Sequence, residues 1–156
     1  MPSTITPLDE VAGQFVEVVD TCFGLYLDCS SGFWKNHEAL VKNQHLTFPS
    51  VSKEVASIQT LEDLDTLETF LGRGPPTDPK NILYHKCTQG EFKRRNSRGG
   101  TNEQFLGRYC VVLLYEYWES EYRKRFADAA GLPREQLTND LFGDLRHLRN
   151  AVLHNR

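Results

Sequence analysis

Residues 109–115 read Tyr-Cys-Val-Val-Leu-Leu-Tyr, with no charge and no carboxamide among them, inside a stretch that is helical in pattern on both sides. A helix that is apolar around its whole circumference has to be covered on most sides. The rest of the chain must therefore supply partners for it. The pattern opens at Thr101-Asn-Glu-Gln104, which matches a capping box, and Gly131 is placed to stop it. Tyr115, Tyr117, Trp118 and Tyr122 on this central helix read as core and interface rather than as base-stacking rings, and Glu119 and Arg123 reach water as an i,i+4 pair.

The partners are helices too. Thr6-Pro7-Leu8-Asp9 combines an N-cap, a proline at the first helical position and a carboxylate facing the positive end of the dipole. Val11, Phe15, Val18, Cys22 and Leu25 then recur at alternating steps of four and three, which predicts one amphipathic helix ending near Cys29-Ser-Ser-Gly32. A second, shorter helix is expected from Phe33 to Gln44, before a turn around Pro49. Thr60-Leu-Glu-Asp opens another, with Leu61, Leu64, Leu67 and Leu71 on one face and Gly72 as its C-terminal cap. From 72 to 100 the periodicity fails. Gly-Arg-Gly-Pro-Pro-Thr-Asp-Pro is a loop, Asn81 to Lys86 is either a short strand or a packed extended segment, and the stretch around Lys93, Arg94, Arg95 and Arg98 reads as exposed and mobile. Leu132-Pro133-Arg-Glu-Gln starts a short linking helix, and Thr138 or Asn139 caps the last one.

Four to five helices without a convincing run of alternating strands predict an all-α bundle in a single domain spanning 1–156, with residues 1–6 flexible and 72–100 as a long irregular basic loop. At 156 residues such a chain can bury a core without disulfides or metal. Cys22, Cys29, Cys87 and Cys110 are scattered and read as core thiols. His85 and Cys87 stand at alternate positions, two ligands where structural metal sites use four, so neither a metal nor a cofactor is expected. No apolar run approaches a membrane span, and Met-Pro-Ser-Thr-Ile-Thr-Pro lacks the basic start and apolar middle of a signal peptide. A cytoplasmic protein with no membrane partner is the expectation.

The formal net charge of −3 conceals a segregation of sign. Every charge from Glu54 to Glu68 is acidic, whereas Lys93, Arg94, Arg95 and Arg98 cluster as cations and Arg146, Arg149 and Arg156 lie close to the end. The basic cluster is an RNA-tracking arm or a solvated segment. The last thirteen residues, Asp144-Leu-Arg-His-Leu-Arg-Asn-Ala-Val-Leu-His-Asn-Arg156, hold three arginines, two histidines and two asparagines. Leu141, Leu145, Leu148 and Val152 form an apolar stripe. Arg146, Asn150 and His154 recur every four residues on a second face, with His147 beside them and Arg149 at the border. Guanidinium, carboxamide and imidazole are the groups that hold a phosphate and move protons near neutral pH.

Arg149-Asn150-Ala-Val-Leu-His154 resembles the R-(polar)-x-x-x-H motif of the HEPN superfamily (higher eukaryotes and prokaryotes nucleotide-binding). The acidic residue Asp144 and Arg146 upstream, the position on the last helix and the long apolar helix before it add to the likeness. The motif spans 144–154 and the bundle resemblance covers about the C-terminal third. The resemblance implies a metal-independent endoribonuclease of toxin–antitoxin or abortive-infection systems. In that scheme Arg149, Asn150 and His154 are catalytic, Asp144 supports them, and Arg146 and His147 contact phosphate. It also implies a homodimer with both motifs in one cleft, and an antitoxin or other defence protein as a further partner. Along a straight helix Arg149 and His154 stand about 7.5 Å apart in rise and about 140° apart in direction, so one copy of the motif is widely spread. The alternatives are a catalytically silent module that binds a partner such as a nucleotidyltransferase antitoxin, and a plain dimerisation domain.

Overall fold

The computed structural model describes residues 6–74, 77 and 80–154. Its order is α1 (Pro7–Glu54), a 3-10 turn (Glu62–Thr66), β1 (Glu68–Arg73), β2 (Ile82–Thr88), α2 (Gln89–Asn96), α3 (Thr101–Tyr117), a π turn (Trp118–Tyr122), α4 (Arg123–Ala130), a 3-10 turn (Arg134–Gln136) and α5 (Asp140–His154). The fold is mostly helical, with one small antiparallel ribbon. Two compact units are found: Met1–Asp28 with Gln104–Arg156, and Cys29–Glu103.

The first helix opens as its sequence predicts. The Thr6 hydroxyl accepts from the Asp9 N–H at 3.2 Å, and the Asp9 carboxylate accepts from the Thr6 hydroxyl at 2.7 Å and from its N–H at 3.0 Å. The helix does not end at Cys29-Ser-Ser-Gly32. It runs unbroken to Glu54 with Pro49 inside it, so the two expected helices and the turn are one element. A lone glycine costs a helix only about 1 kcal/mol relative to alanine, and the Ser30 side chain is turned inward, 1% exposed. A breaker this weak yields to the helix formers on either side.

In the unit formed by Met1–Asp28 and Gln104–Arg156, Phe15, Tyr115, Trp118 and Tyr122 make the buried cluster, with Val11, Val18, Leu114, Phe126, Leu137, Phe142 and Leu145 packed on it. Phe15 meets Trp118, Tyr122 and Phe126 at tilted and edge-on angles, its centroid 4.8 Å from Tyr122 and 5.9 Å from Trp118, arrangements that aromatic quadrupoles favour. The expected aromatic core is therefore present, although Tyr117 and Tyr109 are exposed. Gly131 ends α4 in the left-handed conformation (φ 67°), and the Leu132 N–H returns to the Ala127 carbonyl at 2.9 Å. Glu119 pairs with Arg123 as expected and also with Arg134 of the linking turn, at 2.8 Å. The Asn139 side chain, rather than Thr138, caps α5 by accepting from the Leu141 N–H at 3.0 Å.

In the unit Cys29–Glu103 the stretch expected as a helix and a loop is built differently. The Thr60 cap is real: the Asp63 carboxylate accepts from the N–H groups of Gln59 and Thr60, and its pKa is lowered by those two backbone bonds and by the Thr60 hydroxyl. It opens only the turn Glu62–Thr66, after which the chain becomes extended at Leu67. Glu68–Arg73 then pairs antiparallel with Ile82–Thr88, Glu68 opposite Thr88 and Arg73 opposite Ile82. Gly72 is a strand residue beside a bulge, not a helix cap. A Cβ there would stand 2.8 Å from the Ile82 carbonyl oxygen, so only glycine admits the approach. Of the two readings of Asn81–Lys86, the strand is the one observed. Of the residues 1–6 expected to be flexible, Thr6 is bonded to Asp9 at the start of α1, while 1–5, and Pro75, Pro76, Asp78 and Pro79 of the loop, lie outside the described residues, as does Arg156.

The supposed mobile segment around Lys93 is the helix α2, N-capped by the Thr88 hydroxyl. It is anchored by a polar knot. The buried Gln44 amide donates to Asp65 at 2.8 Å and to Gln89 at 2.9 Å, and its oxygen accepts from the Lys93 ammonium at 3.1 Å. Lys93 also pairs with Asp65 at 2.5 Å. Burial on its own would raise the Asp65 pKa, but the Lys93 ammonium and the Gln44 amide outweigh it and hold the carboxyl below its ordinary value. A carboxyl lowered on folding stabilises the fold above the ordinary range, about 3.9, and loses that contribution as pH falls through the folded value. Urea midpoints measured from pH 7 to pH 3 are therefore expected to drop below about pH 4. Asp65→Asn is expected to lower the midpoint at pH 7 and flatten the acid limb. An unchanged limb would remove Asp65 from the account.

Among the described residues no helix is long and apolar enough to cross a membrane, and no three His, Cys, Asp or Glu side chains are grouped to hold a metal ion.

Candidate functional site

Phe142 decides which face of α5 turns inward. Its ring lies parallel to the Trp118 indole, centroids 3.6 Å apart and planes 5° apart. This places Phe142, Leu145, Arg149 and Val152, at steps of three, four and three, on the covered side. The predicted stripe of Leu141, Leu145, Leu148 and Val152 is corrected accordingly: Leu141 is 64% exposed and Leu148 55%. Both stripes have helical spacing. The large ring of Phe142 gains more by burial than Leu141 does, and the phase of the helix follows it.

Arg149 thus occupies a position that a core residue would hold. Its Nη2 donates to the Glu116 carboxylate on α3 at 2.8 Å, its Nη1 to the Asn150 side-chain oxygen at 3.0 Å, and its guanidinium carbon lies 5.7 Å from the centre of the Tyr115 ring. The Nε is buried and has no acceptor. An ion pair this exposed contributes about 0–1 kcal/mol to stability, so its main effect is orientation: it fixes the plane of the guanidinium. Sequence reading found Arg149 and Asn150 but missed Glu116 and Tyr115. A carboxylate directly after an apolar helical block, where helix formers of any charge would do, was the available signal.

His154, Arg146, His147 and Asp144 are exposed, and Asn150 is half-buried. Asp144, Arg146 and His147 line a cavity of about 410 Å³ that also touches Trp118, Glu119 and Arg123. Arg149, Asn150 and His154 are not among its lining residues. The structure therefore brings Arg149 and Asn150 into direct contact, gathers Arg146, His147 and Asp144 around a separate hollow, and leaves His154 five residues beyond Arg149 on the same unbroken helix.

The four cations of the other unit are not equivalent. Lys93 is committed to Asp65 and Gln44. Arg95 donates to Asn102 at 3.4 Å and to His85 Nε2 at 3.0 Å. Because a guanidinium only donates, that nitrogen of His85 carries a lone pair, which Arg95 occupies. Arg94 and Arg98 are exposed. An array of four equal phosphate contacts on a loose arm is thus replaced by two structural cations and two that face solvent.

No family model matches the chain, and neither a curated protein nor a solved structure matches it.

Proposed function

We propose that this protein is a metal-independent endoribonuclease that cleaves single-stranded RNA by attack of the ribose 2′-OH, in the manner implied by its resemblance to HEPN ribonucleases. The observation that carries the reading is Arg149. A guanidinium placed on the inward face of the last helix, aligned by Glu116 and joined to the Asn150 amide, is built for orientation rather than for solubility. His154 follows it on a continuous helix and is exposed at the surface. In the reaction the O2′–P bond forms as the P–O5′ bond breaks. One imidazole accepts the 2′ proton and another delivers a proton to the leaving 5′ oxygen, while Arg149 neutralises charge growing on the equatorial oxygens. Two imidazoles come from two copies of the chain. Exposed Leu141 and Leu148, two turns apart on α5, are the apolar surface that a second copy would cover in an isologous contact. The setting consistent with this reading is cytoplasmic, with an antitoxin or other defence protein as its control.

Because the nucleophile belongs to the RNA, cleavage is expected to persist in EDTA and to leave a 2′,3′-cyclic phosphate and a 5′-hydroxyl. End-group analysis of a labelled oligoribonucleotide checks this. A strict need for a divalent cation, or 5′-phosphate ends, would overturn the mechanism.

One observation favours a second reading. Glu116 already neutralises Arg149 in the free chain, which suits a silent module that docks a partner protein through α5. Absence of cleavage by the purified dimer, together with tight binding of a co-expressed partner abolished by Arg149→Ala, would select it.

A further inference from the structure

In the unit Cys29–Glu103, one face of α1 carries Trp34, His37, Glu38, Lys42 and His45, the last four at three, four, eight and eleven residues from Trp34 and so aligned along the helix. With Arg98, which follows α2, they line a groove of about 700 Å³, within the size range of about 300–1,000 Å³ typical of small-ligand sites.

Its features point to one kind of ligand. The Trp34 indole is fixed at its edge, because Nε1 donates to the Glu103 carboxylate at 3.0 Å, and the same carboxylate accepts from the Gly99 N–H at 2.8 Å. On its face lies the Arg98 guanidinium, 4.5 Å from the ring centre. A held indole under a planar cation is a stacking platform, since guanidinium planes and aromatic rings both receive nucleobases. About 12 Å further along the helix, by its rise of 1.5 Å per residue, comes Lys42, with His45 almost one turn beyond. Neither Lys42 nor Arg98 has an ion-pair partner among the described residues. His37 Nδ1 lies 3.0 Å from the Lys93 carbonyl oxygen. A carbonyl only accepts, so Nδ1 carries the proton and the ring is held in place. Two cations, Lys42 and Arg98, and two imidazoles line the groove, with Glu38 as the carboxylate among its lining residues.

We propose that this groove binds a free nucleoside monophosphate, its base stacked on the Trp34–Arg98 platform and its phosphate held by Lys42 and His45. The site is independent of α5 and of the ribonuclease reading: it uses no residue of the proposed catalytic set, and either reading can fail while the other stands.

The test is a titration of the full-length protein with AMP, GMP, CMP and UMP, followed by intrinsic fluorescence and by calorimetry. The chain has two tryptophans, and Trp118 is buried in the other unit's core, so a ligand at the groove reports through Trp34. Saturable binding is expected for at least one of the four nucleotides, with the fluorescence change abolished in Trp34→Phe. Lys42→Gln is expected to weaken binding by about tenfold or more, the weight of one charge-assisted contact to phosphate, and Arg98→Gln, which takes the guanidinium out of the stacking platform, by about tenfold as well. Both are surface substitutions, and unchanged circular dichroism verifies folding. Adenosine, inorganic phosphate and a 5′-phosphorylated oligoribonucleotide serve as comparison ligands. The proposal is overturned if no mononucleotide binds, if adenosine binds as well as AMP, if only the oligoribonucleotide binds, or if both charge variants bind like the wild type.

Discussion

If the proposed ribonuclease mechanism holds, His154→Ala is expected to reduce RNA cleavage by about 10²–10⁴-fold, the weight of a positioned general acid or base, while leaving the fold intact because the side chain is exposed. Arg149→Lys is expected to lose most of the activity as well. An ammonium cannot match the fork that here spans Glu116 and Asn150. Arg149→Ala removes the charge altogether but also frees Glu116, so lysine is the more informative change. Mixing the two inactive proteins, Arg149→Ala and His154→Ala, is the sharper measurement. If one site is assembled from two chains, the mixed dimers recover part of the cleavage that neither parent shows. Full activity in a monomer would sink the composite site, and full activity in His154→Ala would remove the imidazole from the chemistry.

The second large effect is on stability. Trp118→Ala is expected to cost about 3–5 kcal/mol, a fall of roughly 6–20 °C in Tm at about 2–4 °C per kcal/mol. Trp118 is 6% exposed and touches Phe15, Phe126 and Phe142. The loss should reach beyond the cavity, because the Phe142 ring that sets the phase of α5 rests flat on this indole. Without it Leu141 competes with Phe142 for the inward position, and Arg149 loses its alignment with Glu116. Trp118→Phe, which keeps an aromatic face, should cost much less. Urea denaturation separates the two, and wild-type stability in Trp118→Ala would show that the stack does not hold the helix.

How far the site was legible follows from which forces are local. The R-(polar)-x-x-x-H pattern is contained in one helix, so Arg149, Asn150 and His154 could be picked out through the family resemblance that this pattern carries. Glu116 lies thirty-three residues from Arg149, and no local pattern links them. The groove at Trp34 was illegible for a related reason. A helix break placed at Gly32 and a mobile loop placed at Arg98 hid the fact that the two segments belong to one wall.

By itself the sequence determined the helical class, the caps at Thr6 and Thr60, the stop at Gly131 and the aromatic core around Trp118. The caps and the stop rest on hydrogen bonds within a few residues, settled before any distant segment arrives, whereas the aromatic core was legible from apolar spacing although its energy comes from distant partners such as Phe15 and Phe142. Tertiary structure alone decided the rest. A helical stripe from Leu61 to Leu71 became a turn and a strand because Ile82–Thr88 offers Glu68–Arg73 a ladder of hydrogen bonds, a gain that no single segment records. Lys93 left the solvent because Gln44 and Asp65 satisfy it. On α5 two stripes of equal helical spacing were available, and the flat face of Trp118 selected the one that turns Arg149 inward.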